Sequence, residues 1–94
     1  MRVTGIIWLR EVVVKLVWKH QVTTDEVEEA LTSAVSFRFL ERGDVGGEDL
    51  YAARGRTAAG RYLIVYFVHK TSGDALIISA REMTKKEKKT YAEN

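Results

Sequence analysis

The hydrophobic pattern is densest between residues 61 and 81. Residues 61–69 (RYLIVYFVH) present apolar side chains at both odd and even positions, which is typical of a β-strand covered on both sides. Residues 70–74 have the composition of a turn, and residues 75–81 form a second apolar run. The pattern predicts an antiparallel hairpin at the centre of a sheet, with Arg81 as the charge that ends its second strand.

Two helices are predicted before this hairpin, after a short first strand at residues 2–8. From Leu9 to His20, apolar residues recur at three- and four-residue intervals, the period of a helix with one buried face. Thr23 and Glu26 match a capping box, which predicts the start of a second helix. The residues expected to bury this second helix are Val27, Ala30, Leu31 and Ala34.

Two strands and one helix complete the predicted order. Residues 35–41 and 50–57 have strand patterns, and the glycine-containing loop between them is typical of a hairpin. Thr84 and Glu87 form a second capping box, which predicts a short helix ending near Ala92. The order strand, helix, helix, four strands, helix indicates an α+β fold: a small antiparallel sheet with its helices gathered on one face.

Length and composition favour one small domain. A chain of 94 residues has room for a single core, so we expect one domain over residues 1–94. The sequence contains no cysteine, which suits a reducing compartment. The apolar segment at residues 6–18 is interrupted by Arg10, Glu11 and Lys15, so we interpret it neither as a targeting segment nor as a membrane span. These observations predict a cytoplasmic protein.

Charge is distributed unevenly along the chain. Residues 1–49 contain six Lys/Arg against nine Asp/Glu, a net charge of −3, whereas residues 50–94 contain nine against four, a net charge of +5. The second half could therefore face an anion such as RNA, with the acidic half turned away. The alternative is ordinary solvated surface charge.

Arg61 and Arg81 are candidate phosphate ligands. In a regular hairpin closed by residues 70–74, position 61 lies near position 81, so both side chains are expected at one rim of the sheet. A guanidinium group is permanently charged and binds two phosphate oxygens at once. The alternative for Arg81 is a salt bridge to Glu82 or another carboxylate, and for Arg61 a surface charge beside a turn.

Three further residues are candidates for RNA chemistry. His20 changes charge near neutral pH and could act as acid or base, or could simply cap its helix. Lys19 could stabilise a phosphate or point into solvent. Tyr91 could donate a proton, stack on a base or anchor the last helix. The lysines of that helix could contact phosphates or form a solvated face: Lys85, Lys86, Lys88 and Lys89.

These segments resemble the BrnT family of toxins from bacterial type II toxin–antitoxin pairs. The resemblance is best from Gly55 to Tyr91 and includes the segment Ile77-Ile78-Ser79-Ala80-Arg81; a weaker match covers Trp8 and the Lys19-His20 pair. It implies a RelE-like fold, ribonuclease activity that stops translation, and a co-encoded BrnA-like antitoxin that binds the toxin. Combined with the chemistry above, it suggests metal-independent and cofactor-independent cleavage of RNA by Lys19, His20, Arg61, Arg81 and Tyr91.

The chain departs from the family pattern at two places. Leu16 stands where the family usually has an asparagine, and Ala75 and Leu76 stand where it usually has a basic residue. If the usual residues serve catalysis, this chain is a weaker or inactive nuclease. The alternative function is a protein-binding module with the same fold, whose apolar first helix supports a homo- or hetero-oligomer interface.

Overall fold

The computed structural model describes residues 1–93, which form three helices and a five-stranded sheet with the strand order β1-β5-β4-β3-β2. The α+β class and the predicted order of elements are confirmed. In chain order, the elements are β1 (Ile6–Ile7), α1 (Arg10–His20), α2 (Thr24–Ser33), β2 (Phe37–Glu41), β3 (Leu50–Arg56), β4 (Tyr62–His69), β5 (Ala75–Glu82) and α3 (Lys85–Glu93).

The sheet is mixed, so the expectation of a purely antiparallel sheet is wrong. Strands β2 to β5 are antiparallel neighbours, but β1 runs parallel to β5, pairing Ile6 with Ala75 and Ile7 with Leu76. A parallel pair needs a long crossover, and here almost the whole chain lies between the two strands. The first strand is also shorter than predicted, at two residues.

Strand β5 contains a bulge at Ile78. Phe67 pairs with Ile77, whereas Tyr66 pairs with Ser79, so one residue of β5 is left without a partner. A shift of one residue exchanges the two faces of a strand. Arg81 therefore lies opposite Ile64, whereas the register of the first half of β5, continued without the bulge, would place it opposite Leu63.

Helices α1 and α2 cover one face of the sheet and enclose the core. Leu63, Val65 and Phe67 of β4 are fully buried on this side. Gly55 permits close contact between β3 and α2, since an added Cβ would lie 2.6 Å from the carbonyl carbon of Ala30. The residues of the two helices and of the segment between them that complete the core are Leu16, Val22, Val27, Ala30 and Leu31.

Helix α3 lies on the other side of the sheet, which we call the open face because α1 and α2 leave it uncovered. The ring of Tyr91 meets the ring of Tyr62 edge-on, with centroids 5.8 Å apart. The expectation that all helices share one face is therefore wrong. Even-numbered residues of β4 point away from α1 and α2. Because these residues are apolar, they need a separate layer that shields them from water. The predicted two-sided burial of β4 is confirmed for Ile64, which is 5% exposed, and holds in part for Tyr66, which is half-buried.

Helix α1 exposes more apolar surface than its pattern predicts. Leu16 is buried, but Val17, expected on the buried face, is 51% exposed. Val14 and Trp18 are 59% and 81% exposed. The helix is apolar on nearly every side, while only one side can contact the sheet.

Candidate functional site

Arg61 and Arg81 meet at one end of the β4–β5 pair, as predicted. Arg61 Nε lies 3.4 Å from the carboxylate Oε1 of Glu82, and Arg81 Nη1 donates to the main-chain carbonyl of Glu82 at 3.1 Å. The two side chains nevertheless leave the sheet on opposite faces, because the bulge at Ile78 turns Arg81 towards the open face. We call this end of the sheet the rim.

Arg61 connects the rim to the junction between α1 and α2. Its Nη1 donates to both carboxylate oxygens of Glu26, at 3.0 and 2.8 Å, and to the carbonyl of Gln21 at 2.7 Å. Burial raises the pKa of Glu26, but hydrogen bonds from Arg61 and the Thr23 N–H outweigh burial and leave that pKa below its usual value. Arg61 is therefore an anchored cation and not a free surface charge.

Lys19 and His20 lie at the end of α1, next to this anchor. Gln21 ends the helix in the left-handed conformation, with φ of 52°, and its carbonyl is the one that Arg61 binds. His20 is half-buried and Lys19 is exposed. Arg61 thus ties the backbone next to His20 to the rim, through its direct hydrogen bond to the Gln21 carbonyl.

Arg81 forms a two-pronged ion pair with Glu87 of α3. Its Nη1 and Nη2 donate to Oε1 and Oε2 of Glu87, each at 2.8 Å. These bonds, together with the Thr84 N–H, lower the pKa of Glu87 from 4.5 to about 2. The Glu87 hydrogen bonds also raise the pKa of Arg81, against the opposing effect of its burial. The salt-bridge alternative for Arg81 is confirmed, with Glu87 as its partner.

The five predicted residues fall into two groups that meet at Glu82. Lys19, His20 and Arg61 belong to the side covered by α1 and α2, whereas Arg81 and Tyr91 belong to the open face. The edge-on contact of Tyr91 with Tyr62 agrees with its expected role in anchoring α3. Glu82, which contacts both arginines, was considered from the sequence only as a partner of Arg81.

A groove of about 370 Å³ runs along the open face between α3 and strands β2, β3 and β4. We call it the open-face groove. Three cations from three different elements line it, Arg38, Arg54 and Lys86, and Ile64, Tyr66 and Glu87 also belong to its lining. The guanidinium carbon of Arg81 lies 5.9 Å from the centre of the Tyr66 ring, so the groove ends at the rim.

Residues 14–87 match the family model described as ribonuclease toxin, BrnT, of type II toxin-antitoxin system. The chain belongs to the BrnT family. The matched segment includes Lys19, His20, Arg61 and Arg81, whereas Tyr91 lies beyond it. A search of curated proteins finds no match. Membership in a type II toxin–antitoxin family implies an antitoxin partner for this BrnT protein.

The acidic residues of α2 and the cations of the open-face groove lie on different faces of this BrnT protein. Helix α2 carries Asp25, Glu26, Glu28 and Glu29 on the side away from the open face. Of the groove cations, Lys86 was considered from the sequence as a possible phosphate contact, whereas Arg38 and Arg54 were not. Side chains alternate between the two faces of a strand, so Arg38 and Tyr66 could have been assigned to the same face as Arg54 once the strand pairing was known.

Within residues 1–93 of this family member, no group of three or more His, Cys, Asp or Glu side chains is arranged to hold a metal ion. Within the same residues, no helix combines the length and apolar character needed to cross a bilayer.

Proposed function

We propose that this BrnT family member is a metal-independent endoribonuclease that cleaves RNA at the rim and thereby inhibits translation. One observation carries the proposal: Arg61, which directly precedes β4, and Arg81 of β5 both contact Glu82. Arg61 also fixes the end of α1, where Lys19 and His20 stand. Two permanent positive charges, and the backbone next to His20, are thus held by one small set of contacts.

The proposed reaction transfers the phosphorus from the 5′-oxygen of the next nucleotide to the neighbouring 2′-oxygen. His20 takes the 2′-hydroxyl proton, while Arg61 and Arg81 stabilise the charge that develops on the phosphate oxygens. The bond to the 5′-oxygen breaks, and Tyr91 or protonated His20 returns a proton to it. Lys19 adds positive charge. The products are a 2′,3′-cyclic phosphate and a free 5′-hydroxyl.

Carboxylates hold both arginines in place without using all of their donors. Arg61 binds Glu26 through Nη1 and Glu82 through Nε, and its Nη2 group makes no hydrogen bond to a described residue. That group is the donor we assign to the RNA phosphate. A guanidinium already fixed by carboxylates loses little conformational freedom when it binds substrate.

The test is induced expression of the wild-type chain beside Arg81→Ala and His20→Ala, with growth and RNA integrity followed together. We expect growth arrest and fragments with cyclic or 3′-phosphate ends for the wild type, and neither for the variants. Purified wild type should remain active with a chelator present. Lys89→Ala, which removes one positive charge from α3, is the matched control and should stay toxic. Full toxicity of Arg81→Ala, with its fold intact by circular dichroism, would show that Arg81 is not part of the catalytic site.

The finer family traits belong to the same proposal. We infer a RelE-like domain over residues 1–94 that acts in the cytoplasm and is neutralised by a BrnA-like antitoxin. The packing of α1 and α2 together on one face of the sheet supports the fold assignment. Co-expression with a BrnA-like protein should abolish toxicity and yield a complex that survives size-exclusion chromatography.

The exposed side of α1 favours a second candidate function, a protein-binding module without catalysis. Val14, Val17 and Trp18 of this helix are all more than half exposed. Exposed apolar side chains that lie together on one helix are typical of a protein-binding surface. This function predicts tight binding of an amphipathic partner segment and no RNA cleavage by highly purified protein. Light scattering that shows a clean monomer would count against association through α1.

A further inference from the structure

We infer that the open-face groove binds single-stranded RNA next to the rim, with backbone phosphates on Arg38, Arg54 and Lys86 and a base against Tyr66. The inference rests on the proposed function and deepens it, since it names the form of RNA and the residues that hold it outside the reacting phosphate. Nothing in the family description assigns a role to this groove.

The cations of the groove have no carboxylate partner among the described residues, unlike the two arginines of the rim. Arg61, Lys70 and Arg81 are each held by a glutamate at 2.8 Å. Within residues 1–93, no ion pair joins Arg38, Arg54 or Lys86 to a described acidic side chain. Three cations that converge on one groove without internal neutralisation attract a polyanion.

The positions of these cations suit a chain of phosphates. Arg38 of β2 lies opposite Ala52 of β3, and Arg54 follows two residues later on the same face. Such diagonal neighbours are about 7–8 Å apart. Lys86 approaches from α3 on the opposite wall. A polynucleotide backbone can therefore contact both walls as it runs through the groove.

The groove also provides a surface for a base. The half-buried ring of Tyr66 and the apolar side chain of Ile64 form this surface, and the Arg81 guanidinium lies beside the ring. Bases stack on aromatic rings and on arginine planes, and this contact requires an unpaired base. A volume of about 370 Å³ is within the range of pockets that hold small organic ligands.

Glu87 is the acidic side chain of the groove, and its charge is matched. Both of its oxygens accept hydrogen bonds from Arg81, so the carboxylate faces the rim and not the entering phosphate. Arg81 thus links Tyr66 and Glu87 of the groove to Glu82 of the rim, which places a nucleotide bound at Tyr66 next to the proposed scissile phosphate.

The test is fluorescence anisotropy with a labelled single-stranded RNA whose 2′-hydroxyls are all methylated, so that it cannot be cleaved. Arg54→Ala and Lys86→Ala should each weaken binding about fivefold at 0.1 M salt, and each should reduce the salt slope by about 0.7. Lys89→Ala on the same helix and Arg10→Ala on α1 are matched controls and should bind as the wild type does. Tyr66→Leu should weaken binding by about fivefold or more, while Tyr66→Phe should retain it.

The outcomes separate this inference from the proposed nuclease. Wild-type binding lost in the groove variants, but with no cleavage of natural RNA, would support the groove and overturn the nuclease. Cleavage by the wild type with normal RNA binding in every groove variant would do the reverse. Equal binding of duplex RNA, equal loss in Lys89→Ala, or loss of antitoxin binding alone in the groove variants would each overturn the inference.

Discussion

The ion pair between Arg81 and Glu87 makes a quantitative prediction about the attachment of α3. Both hydrogen bonds are 2.8 Å long, and the two side chains are 37% and 28% exposed. Exposed pairs contribute about 0.2–1 kcal/mol because solvent screens them, whereas breaking a fully buried pair costs about 3–5 kcal/mol. For this partly exposed, two-pronged pair we expect a coupling free energy of about 1.5 kcal/mol.

A double-mutant cycle isolates that coupling. Glu87 also accepts from the Thr84 N–H at the start of α3, so Glu87→Gln is chosen because it removes the charge and keeps an oxygen for the cap. Urea denaturation of the wild type, Arg81→Met, Glu87→Gln and the double variant gives the coupling at pH 7. The pair of Arg61 and Glu82, at 3.4 Å with Glu82 59% exposed, is the internal control and should give less than about 0.5 kcal/mol.

The coupling should also depend on pH in one direction. A carboxyl group whose pKa is lowered by folding stabilises the protein above its unfolded pKa, and this contribution disappears as pH falls through the folded value. For Glu87 that window extends from about 4.5 down to about 2. The coupling should be complete at pH 6 and clearly smaller at pH 3. A value no larger than that of the control pair, or one unchanged at pH 3, would refute this account of how α3 is held.

Three further predictions concern the stability of the fold, and two of them include a control variant. Gly55→Ala should destabilise the protein by about 2 kcal/mol in urea denaturation, because its Cβ would lie 2.6 Å from the carbonyl carbon of Ala30. Gly46→Ala, with no atom within 4 Å of its added Cβ, should be neutral, and equal effects would contradict the packing argument. Thr23→Ala should cost about 1 kcal/mol by loss of the cap and Thr23→Ser much less; an equal loss would exclude the hydroxyl as the cause. Ile77→Val should lower the free energy of unfolding by about 1 kcal/mol, and no change would show that the site repacks.

Much of the fold could be predicted because its signals are local. The capping box of Thr23 and Glu26 is formed as the sequence indicates, and α2 begins at the next residue. The β4–β5 hairpin follows from two apolar runs around one turn. Each of these features depends on residues close in the chain, where side-chain chemistry and spacing are sufficient.

The features that were missed depend on distant residues. Nothing in Ile6 or Ile7 indicates that they pair with a strand almost 70 residues later. The exposure of Val17 could not be predicted, since this residue is as apolar as Val12, which packs against the core. The assignment of α3 to the open face follows from Tyr62 and Tyr91, but only after the two faces of β4 are distinguished.

The candidate site shows the same division. Sequence placed Arg61 and Arg81 at one rim, and the register confirms it. Their departure on opposite faces follows from the bulge, which the apolar run at residues 75–80 does not reveal. The open-face groove requires β2, β3, β4 and α3 together, so its cations had no common signal along the chain.

The bulge at Ile78 has a consequence for how this sequence tolerates insertions and deletions. The two halves of β5 are out of phase by one residue, so removal of Ile78 would join them into one regular frame. Arg81 would then still lie opposite Ile64 on the open face, and Ala80 would stay opposite Val65 in the core. A single-codon deletion of Ile78 should therefore be tolerated about as well as the replacement Ile78→Val, because the residue removed has no partner in β4 and Arg81 stays at the surface where RNA would meet it.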